Sequence, residues 1–127
     1  FLSKHRKPGE IMGWEAGAVL YRLDTDHIDR DNVLTRVDEH EAITLATGAD
    51  VSPNGSKLAI LSYTALWVFD KPRRKDRWLS GQAYRLDIDL AHTKHAEAVC
   101  WDDDETLLIT NEGGEIFEVK IADIPAV

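Results

Sequence analysis

Three consecutive aspartates, Asp102 to Asp104, stand just before an apolar run that begins at Leu107. Neighbouring carboxylates supply the hard oxygen ligands that Ca²⁺ and Mg²⁺ prefer. The same residue type is also typical of a solvated turn between two strands. The residue types leave both interpretations open, so the position of the aspartates within the fold has to decide.

A second candidate is the basic run "KPRRKDR" at 71–77, which is followed by Trp78. It contains Pro72 and interrupts strand-like sequence, which predicts an exposed loop. Arg73, Arg74, Lys75 and Trp78 are therefore candidate partner-binding residues. The run is too short and too poor in aromatic residues to indicate a nucleic-acid footprint, so no nucleic-acid partner is expected.

No catalytic nucleophile is predicted from the sequence. Ser52, Ser56, Ser62 and Ser80 lack the G-x-S-x-G pattern of a nucleophile elbow. Cys100 is expected inside an inner strand, and as the single cysteine it cannot form an internal disulfide.

The composition suits one domain of ordinary size. The chain has 127 residues, of which 43% are hydrophobic, and 15 Lys+Arg against 23 Asp+Glu give a formal charge of -8. No apolar stretch approaches the roughly 20 residues that span a bilayer, so no membrane span is expected. A leader could precede Phe1, so the compartment stays open and a periplasmic or secreted location is compatible with the sequence.

The chain repeats one unit about three times. Segments 11–24, 59–70 and 107–120 each contain an apolar run, a small or polar hinge and a second run with a central aromatic residue, as in a β-hairpin. A shift of 107 − 58 = 49 residues lays 52–60 over 101–109 and 34–38 over 83–87. This shift places Asp102 to Asp104 on the turn sequence of residues 53–55, which favours the turn interpretation.

A period near 49 residues with about four strands per repeat is typical of β-propeller blades. The predicted fold class is therefore all-β, with four-stranded antiparallel blades in a partial ring. The whole chain, 1–127, forms one region with blade segments at about 1–38, 39–89 and 90–127. The pattern predicts ten strands, at 10–14, 18–24, 33–38, 43–51, 57–63, 65–70, 82–89, 96–101, 106–111 and 115–121. It predicts hairpin turns at 15–17, 53–56, 63–65, 102–105 and 112–114.

Two short stretches carry a family resemblance. The stretch "ATGADVSPNGSKLAIL" resembles the "D-x-SPDG" strand–turn–strand of bacterial WD40-like propellers, with Asn54 in place of the usual aspartate. The stretch "AEAVCWDDDETLLITNE" resembles the "EG-(I/L)-x-(W/Y)-D" opening of the SMP-30/gluconolactonase-like and phytase-like propellers. Glu97 matches the glutamate of that motif, and Ala98 replaces its glycine.

The second resemblance implies a metal site. In such propellers the motif glutamate faces the central channel and often binds a divalent cation. Glu97, Asn111 and Glu112 would then be oxygen ligands for Ca²⁺ or Mg²⁺. The alternative is structural: Glu97 caps a strand, and Asn111 and Glu112 begin the turn at Gly113. With a constant shift of 49, the equivalent positions in the middle repeat are Gly48, Ser62 and Tyr63.

Two functions follow as hypotheses. One is a rigid, non-catalytic propeller scaffold that binds a protein or ligand. The other is part of a metal-dependent hydrolase of the lactonase or phytase-like kind. About two and a half blades leave apolar blade faces uncovered, beyond what soluble monomers usually expose. We therefore expect the remainder of a larger propeller, or a second copy in a homodimer, to cover them.

Overall fold

Nine strands form three antiparallel sheets in the structure, a computed structural model that describes residues 1–4, 13, 16–74 and 76–127. Strands β1 and β2 form the N-terminal sheet, β3 to β6 the middle sheet and β7 to β9 the C-terminal sheet. The strands are β1 Ala18–Arg22, β2 Thr35–His40, β3 Ala46–Val51, β4 Lys57–Ser62, β5 Ala65–Asp70, β6 Ala83–Asp87, β7 Ala96–Asp103, β8 Thr106–Asn111 and β9 Ile116–Lys120.

The all-β prediction is confirmed, and each observed strand falls on a predicted one. The predicted turns at 53–56, 63–65, 102–105 and 112–114 all separate consecutive strands. The predicted strand at 10–14 and its turn at 15–17 lie largely outside the described residues. Only the middle sheet has the predicted four strands, since the described part of the N-terminal sheet has two and that of the C-terminal sheet three.

Helical structure is limited to single turns. The described residues contain α1 (Leu90–Thr93) and two 3₁₀ turns, Trp78–Ser80 and Ile121–Asp123. The predicted strand 82–89 is longer than the observed β6, which ends at Asp87. The Asp89 carboxylate accepts a hydrogen bond from the amide of Ala91 and begins a helical turn instead. None of these helices is long and apolar enough to cross a membrane.

The three sheets enclose two apolar cores. The first core lies between the N-terminal and middle sheets and is built on Ala18, Ile43, Ala46, Leu58, Ile60, Ala65, Trp67, Phe69 and Leu79. The second lies between the middle and C-terminal sheets and is built on Ala59, Leu61, Leu66, Val68, Ala96, Val99, Trp101, Leu107, Ile109 and Ile124. The middle sheet is covered on both faces, which is why β4 and β5 are almost continuously apolar.

The first strands of the middle and C-terminal sheets, β3 and β7, share one irregularity. Each pairs with the next strand through a register shift, which leaves Thr47 unpaired in β3 and Glu97 unpaired in β7. The register therefore aligns β3 with β7 at a shift of 50 residues, while β4 and β8 align at 49. A uniform shift of 49 residues makes Gly48 the equivalent of Glu97. The observed register shows that the equivalent residue is Thr47. The cause is that five residues separate Trp101 from its partner Leu107, whereas six separate Val51 from its partner Leu58.

Both described ends of the chain pair with sheets formed by other segments. Leu2 bridges Leu20 of β1, and Ala126 bridges Tyr84 of β6. The amide of Arg85 donates to the carbonyl of Pro125 at 2.9 Å, so the segment after β9 covers the outer edge of the middle sheet. Covered edges offer fewer free backbone groups to another chain.

Candidate functional site

The stretch that resembles the WD40-like motif, residues 46–61, fixes the contact between the middle and C-terminal sheets. Asp50 of β3 accepts a hydrogen bond from the amide of Trp101 at 3.0 Å, and its backbone carbonyl accepts one from the indole of Trp101 at 3.1 Å. Thr47, the unpaired residue of β3, donates its hydroxyl hydrogen to the carbonyl of Ala96 at 2.9 Å. These bonds attach β7 along β3 and close the second core.

The remaining motif residues hold the turn between β3 and β4. Ser52 is 3% exposed, and its hydroxyl oxygen accepts hydrogen bonds from the amides of Ser56 and Lys57. Gly55 has φ +68°, a backbone conformation that favours glycine. The motif therefore specifies a turn and a sheet contact, and it contributes no reactive group.

The three aspartates form the end of β7 and the turn that follows, as the repeat predicts. The amide of Glu105 donates to Asp103 at 2.8 Å, which lowers the pKa of the Asp103 carboxyl. Asp104 accepts a hydrogen bond from the amide of Asn54 at 2.9 Å and so joins the turns of two neighbouring sheets. Their observed role is therefore to stabilise and connect turns.

The predicted metal ligands lie at one end of the C-terminal sheet, since Ala96 of β7 pairs with Asn111 of β8. Glu97 accepts a hydrogen bond from the hydroxyl of Tyr63 at 3.0 Å. Glu112 lies beside His95, with 3.7 Å between carboxylate oxygen and imidazole Nδ1. Lys4 completes this polar cluster, because its ammonium lies 3.3 Å from the Tyr63 hydroxyl.

Asn111 is engaged in local structure. It is 8% exposed, its amide nitrogen donates to the carbonyl of Thr93 and to the Glu115 carboxylate, and its oxygen accepts the amide of Glu115 at 3.0 Å. The hydrogen bond from Asn111 and the nearby Lys94 ammonium lower the pKa of the Glu115 carboxyl. Asn111 thus closes the β8–β9 turn. Among the described residues there is no group of three His, Cys, Asp or Glu side chains placed to hold a metal ion.

The basic run 71–77 forms a separate site. A cleft of about 710 Å³ lies between this run and the start of β6 and is lined by Asp70, Lys71, Pro72, Arg73, Arg74, Arg77, Ser80, Gly81 and Gln82. We call it the basic cleft. Arg73 and Arg74 both line this cleft, and Lys75 lies outside the described residues. Trp78 is half-buried against the first core and lines a different cleft, of about 580 Å³, so it is not presented beside the arginines.

A buried carboxylate fixes the wall of the basic cleft. Asp38 of β2 is 6% exposed and accepts hydrogen bonds from the amide of Ser80 at 3.0 Å and from its hydroxyl at 2.9 Å. The guanidinium of Arg77 lies 3.9 Å from the same carboxylate. The sequence did not reveal this role, because Asp38 matches Asp87 in the repeat and Asp87 is largely exposed.

The charges of the basic cleft are poorly balanced by acidic side chains. Within the described parts of the chain, Lys71, Arg73 and Arg74 have no carboxylate within 4.0 Å, whereas several other cations do; examples are Arg22, Arg36, Lys57, Arg85, Lys94 and Lys120. The lining carboxylate, Asp70, is paired with Lys57 and accepts a hydrogen bond from the Tyr84 hydroxyl. The cleft is therefore a cationic patch on an acidic protein.

Comparison with known proteins gave no match to a family model, to a curated protein or to a solved structure.

Proposed function

We propose that the chain is part of a β-propeller that acts as a rigid, non-catalytic scaffold for binding a protein or ligand. The observation that supports this proposal is a shared register shift: β3 of the middle sheet and β7 of the C-terminal sheet each leave their second residue unpaired. Stacked repeats of this kind place variable loops on a constant frame.

Rigidity follows from the way in which the sheets are joined. Two apolar cores hold the three sheets. Hydrogen bonds donated by Thr47 and Asn54 and accepted by Asp50 fix the middle sheet against the C-terminal one. A frame of this kind loses little conformational freedom when a loop binds a partner, which favours affinity. The loop 71–82, which carries the basic cleft, is the part of the frame that we assign to partner binding.

The competing hypothesis is a metal-dependent hydrolase with Glu97, Asn111 and Glu112 as ligands for Ca²⁺ or Mg²⁺. The placement of Glu97 as an unpaired strand residue beside Tyr63 supports a role at this end of the sheet, because such irregularities often re-aim a side chain. The Asn111 oxygen accepts a hydrogen bond from the amide of Glu115, which favours the scaffold hypothesis instead.

Thermal unfolding with added metal separates the two hypotheses. A cation that binds only the folded chain raises its stability by mass action. We expect no shift in Tm at millimolar Ca²⁺ or Mg²⁺, and the same Tm for Glu97→Gln with and without metal. A rise in Tm with either metal that disappears in Glu97→Gln would contradict the scaffold proposal and support the hydrolase.

We propose that a further propeller unit, or a second copy of the chain, packs on the face of the C-terminal sheet that points away from the middle sheet. Its residues correspond to the covered face of the middle sheet, but Thr110 stands at the position of Leu61 and Glu118 at that of Val68. Leu108 remains as a half-buried apolar residue there. Sedimentation equilibrium tests for the second copy: we expect a concentration-dependent dimer, and a monomer at tens of micromolar would leave only the larger-ring alternative.

A further inference from the structure

Four cations line the basic cleft. Lys71, Arg73 and Arg74 belong to the segment after β5, and Arg77 belongs to the segment that leads into the 3₁₀ turn. Arg73, Arg74 and Arg77 are exposed, so their guanidinium groups can reach a ligand without unfolding any part of the core. Arginine is the residue best suited to bidentate hydrogen bonding with carboxylates.

The walls are also held in place before a ligand arrives. Asp38 holds the wall at Ser80, and a hydrogen bond from the amide of Lys71 to the carbonyl of Ser56, at 2.7 Å, holds the other. Gly81 lies so close to Asp70 that a Cβ atom built on it would be 2.6 Å from the Asp70 carbonyl oxygen. A pre-organised site has less ordering entropy to lose on binding.

We propose that the basic cleft binds an acidic peptide segment of a partner protein through carboxylates that pair with Arg73, Arg74 and Arg77. This inference rests on the proposed scaffold function and names the chemistry of its partner. Several cations along one open cleft match carboxylates spaced along an extended segment. The formal charge of -8 on the whole chain repels long polyanions such as nucleic acid, so a short ligand that fits the local patch is favoured.

Binding of a labelled hexaglutamate peptide to the full chain tests the proposal, with hexaglutamine as the neutral probe and fluorescence anisotropy as the readout at low salt. The key variant is Arg73→Gln/Arg74→Gln. Its matched control is Arg30→Gln/Arg36→Gln, which removes the same charge from exposed positions outside the cleft. Thermal unfolding of each variant checks that the fold is kept.

We expect hexaglutamate to bind, hexaglutamine not to bind, and affinity to fall as salt screens the charges. The Arg73→Gln/Arg74→Gln variant should lose at least about tenfold in affinity, which corresponds to about 1.4 kcal/mol. The control should stay within about twofold of the unchanged chain.

Three results would overturn the proposal: no binding of hexaglutamate, equal losses in the two double variants, or binding of tripolyphosphate without binding of hexaglutamate. The second would show general electrostatic attraction, and the third a phosphate site. None of these affects the metal-dependent unfolding measurement, so failure of this inference and failure of the scaffold proposal can be told apart.

Discussion

Replacing Asp50 by alanine should loosen the contact between the middle and C-terminal sheets. Asp50 is half-buried, and its carboxylate is the acceptor for the backbone N–H of Trp101, which is itself only 9% exposed. Alanine cannot replace that acceptor, and the N–H of Trp101 would be left without its partner inside the sheet contact. The bond between the Trp101 indole and the Asp50 carbonyl is unaffected by the substitution, because it uses the backbone.

The expected size follows from the energetics of hydrogen bonds. A bond to a charged group contributes about 1.5–3 kcal/mol, and partial exposure of Asp50 places the expected loss near the lower half of that range, at about 2 kcal/mol. Urea unfolding at neutral pH measures it, as a lower midpoint with an unchanged m-value. Asp50→Asn keeps an acceptor oxygen and should lose about half as much.

The matched control is Asp26→Ala, which removes a carboxylate from an exposed loop and should change stability by less than about 0.5 kcal/mol. If Asp50→Ala falls in the same range as this control, the hydrogen bond does not hold the two sheets together. The structural explanation of the D-x-SPNG stretch would then be wrong.

Three further changes should have distinct effects on the unfolding free energy. Leu107→Ala removes a fully buried side chain from the second core and should cost about 2–5 kcal/mol; a loss below about 1 kcal/mol would mean that β8 is misplaced. Burial lowers the pKa of His40 below its usual 6.5, so the unfolded chain binds the proton more readily and stability should fall as pH drops below about 6.5. Urea titrations at several pH values should show a smaller decline for His40→Leu and an unchanged decline for His27→Leu, which alters an exposed loop. An unchanged decline in His40→Leu would show that another group titrates. Gly81→Ala should cost about 1–3 kcal/mol because the added Cβ would collide with the carbonyl of Asp70, and a neutral result would show that the cleft wall is free to move.

The positions of the strands could be predicted from the sequence, because strands leave recognisable patterns of apolar residues. The predicted strands 57–63 and 106–111 are observed as β4 and β8, and their apolar residues Leu58, Ile60, Leu107 and Ile109 are buried. The turn at Asp102 to Asp104 was recoverable because the repeat aligned it with residues 53–55.

Contacts between distant segments were not recoverable in the same way. The pairing of Ala126 with β6 and the bond from Ser80 to Asp38 depend on how the sheets stack, and no local pattern encodes either. The sequence left two interpretations of Asn111 open, a metal ligand or the start of the turn at Gly113. The observed contact is a turn contact, because the Asn111 oxygen accepts the amide of Glu115 four residues away, as asparagine side chains commonly do with nearby backbone.

Native-state hydrogen exchange can test the claim that the three sheets form one rigid frame. Slow exchange requires opening of the structure, and its free energy can be read for each strand. We predict that amides of β4 and β8 exchange through the same global opening, with equal free energies, while amides of 71–74 exchange rapidly. Exchange of β8 through a separate opening of much lower free energy than that of β4 would contradict the claim, because the C-terminal sheet would then move independently of the middle sheet.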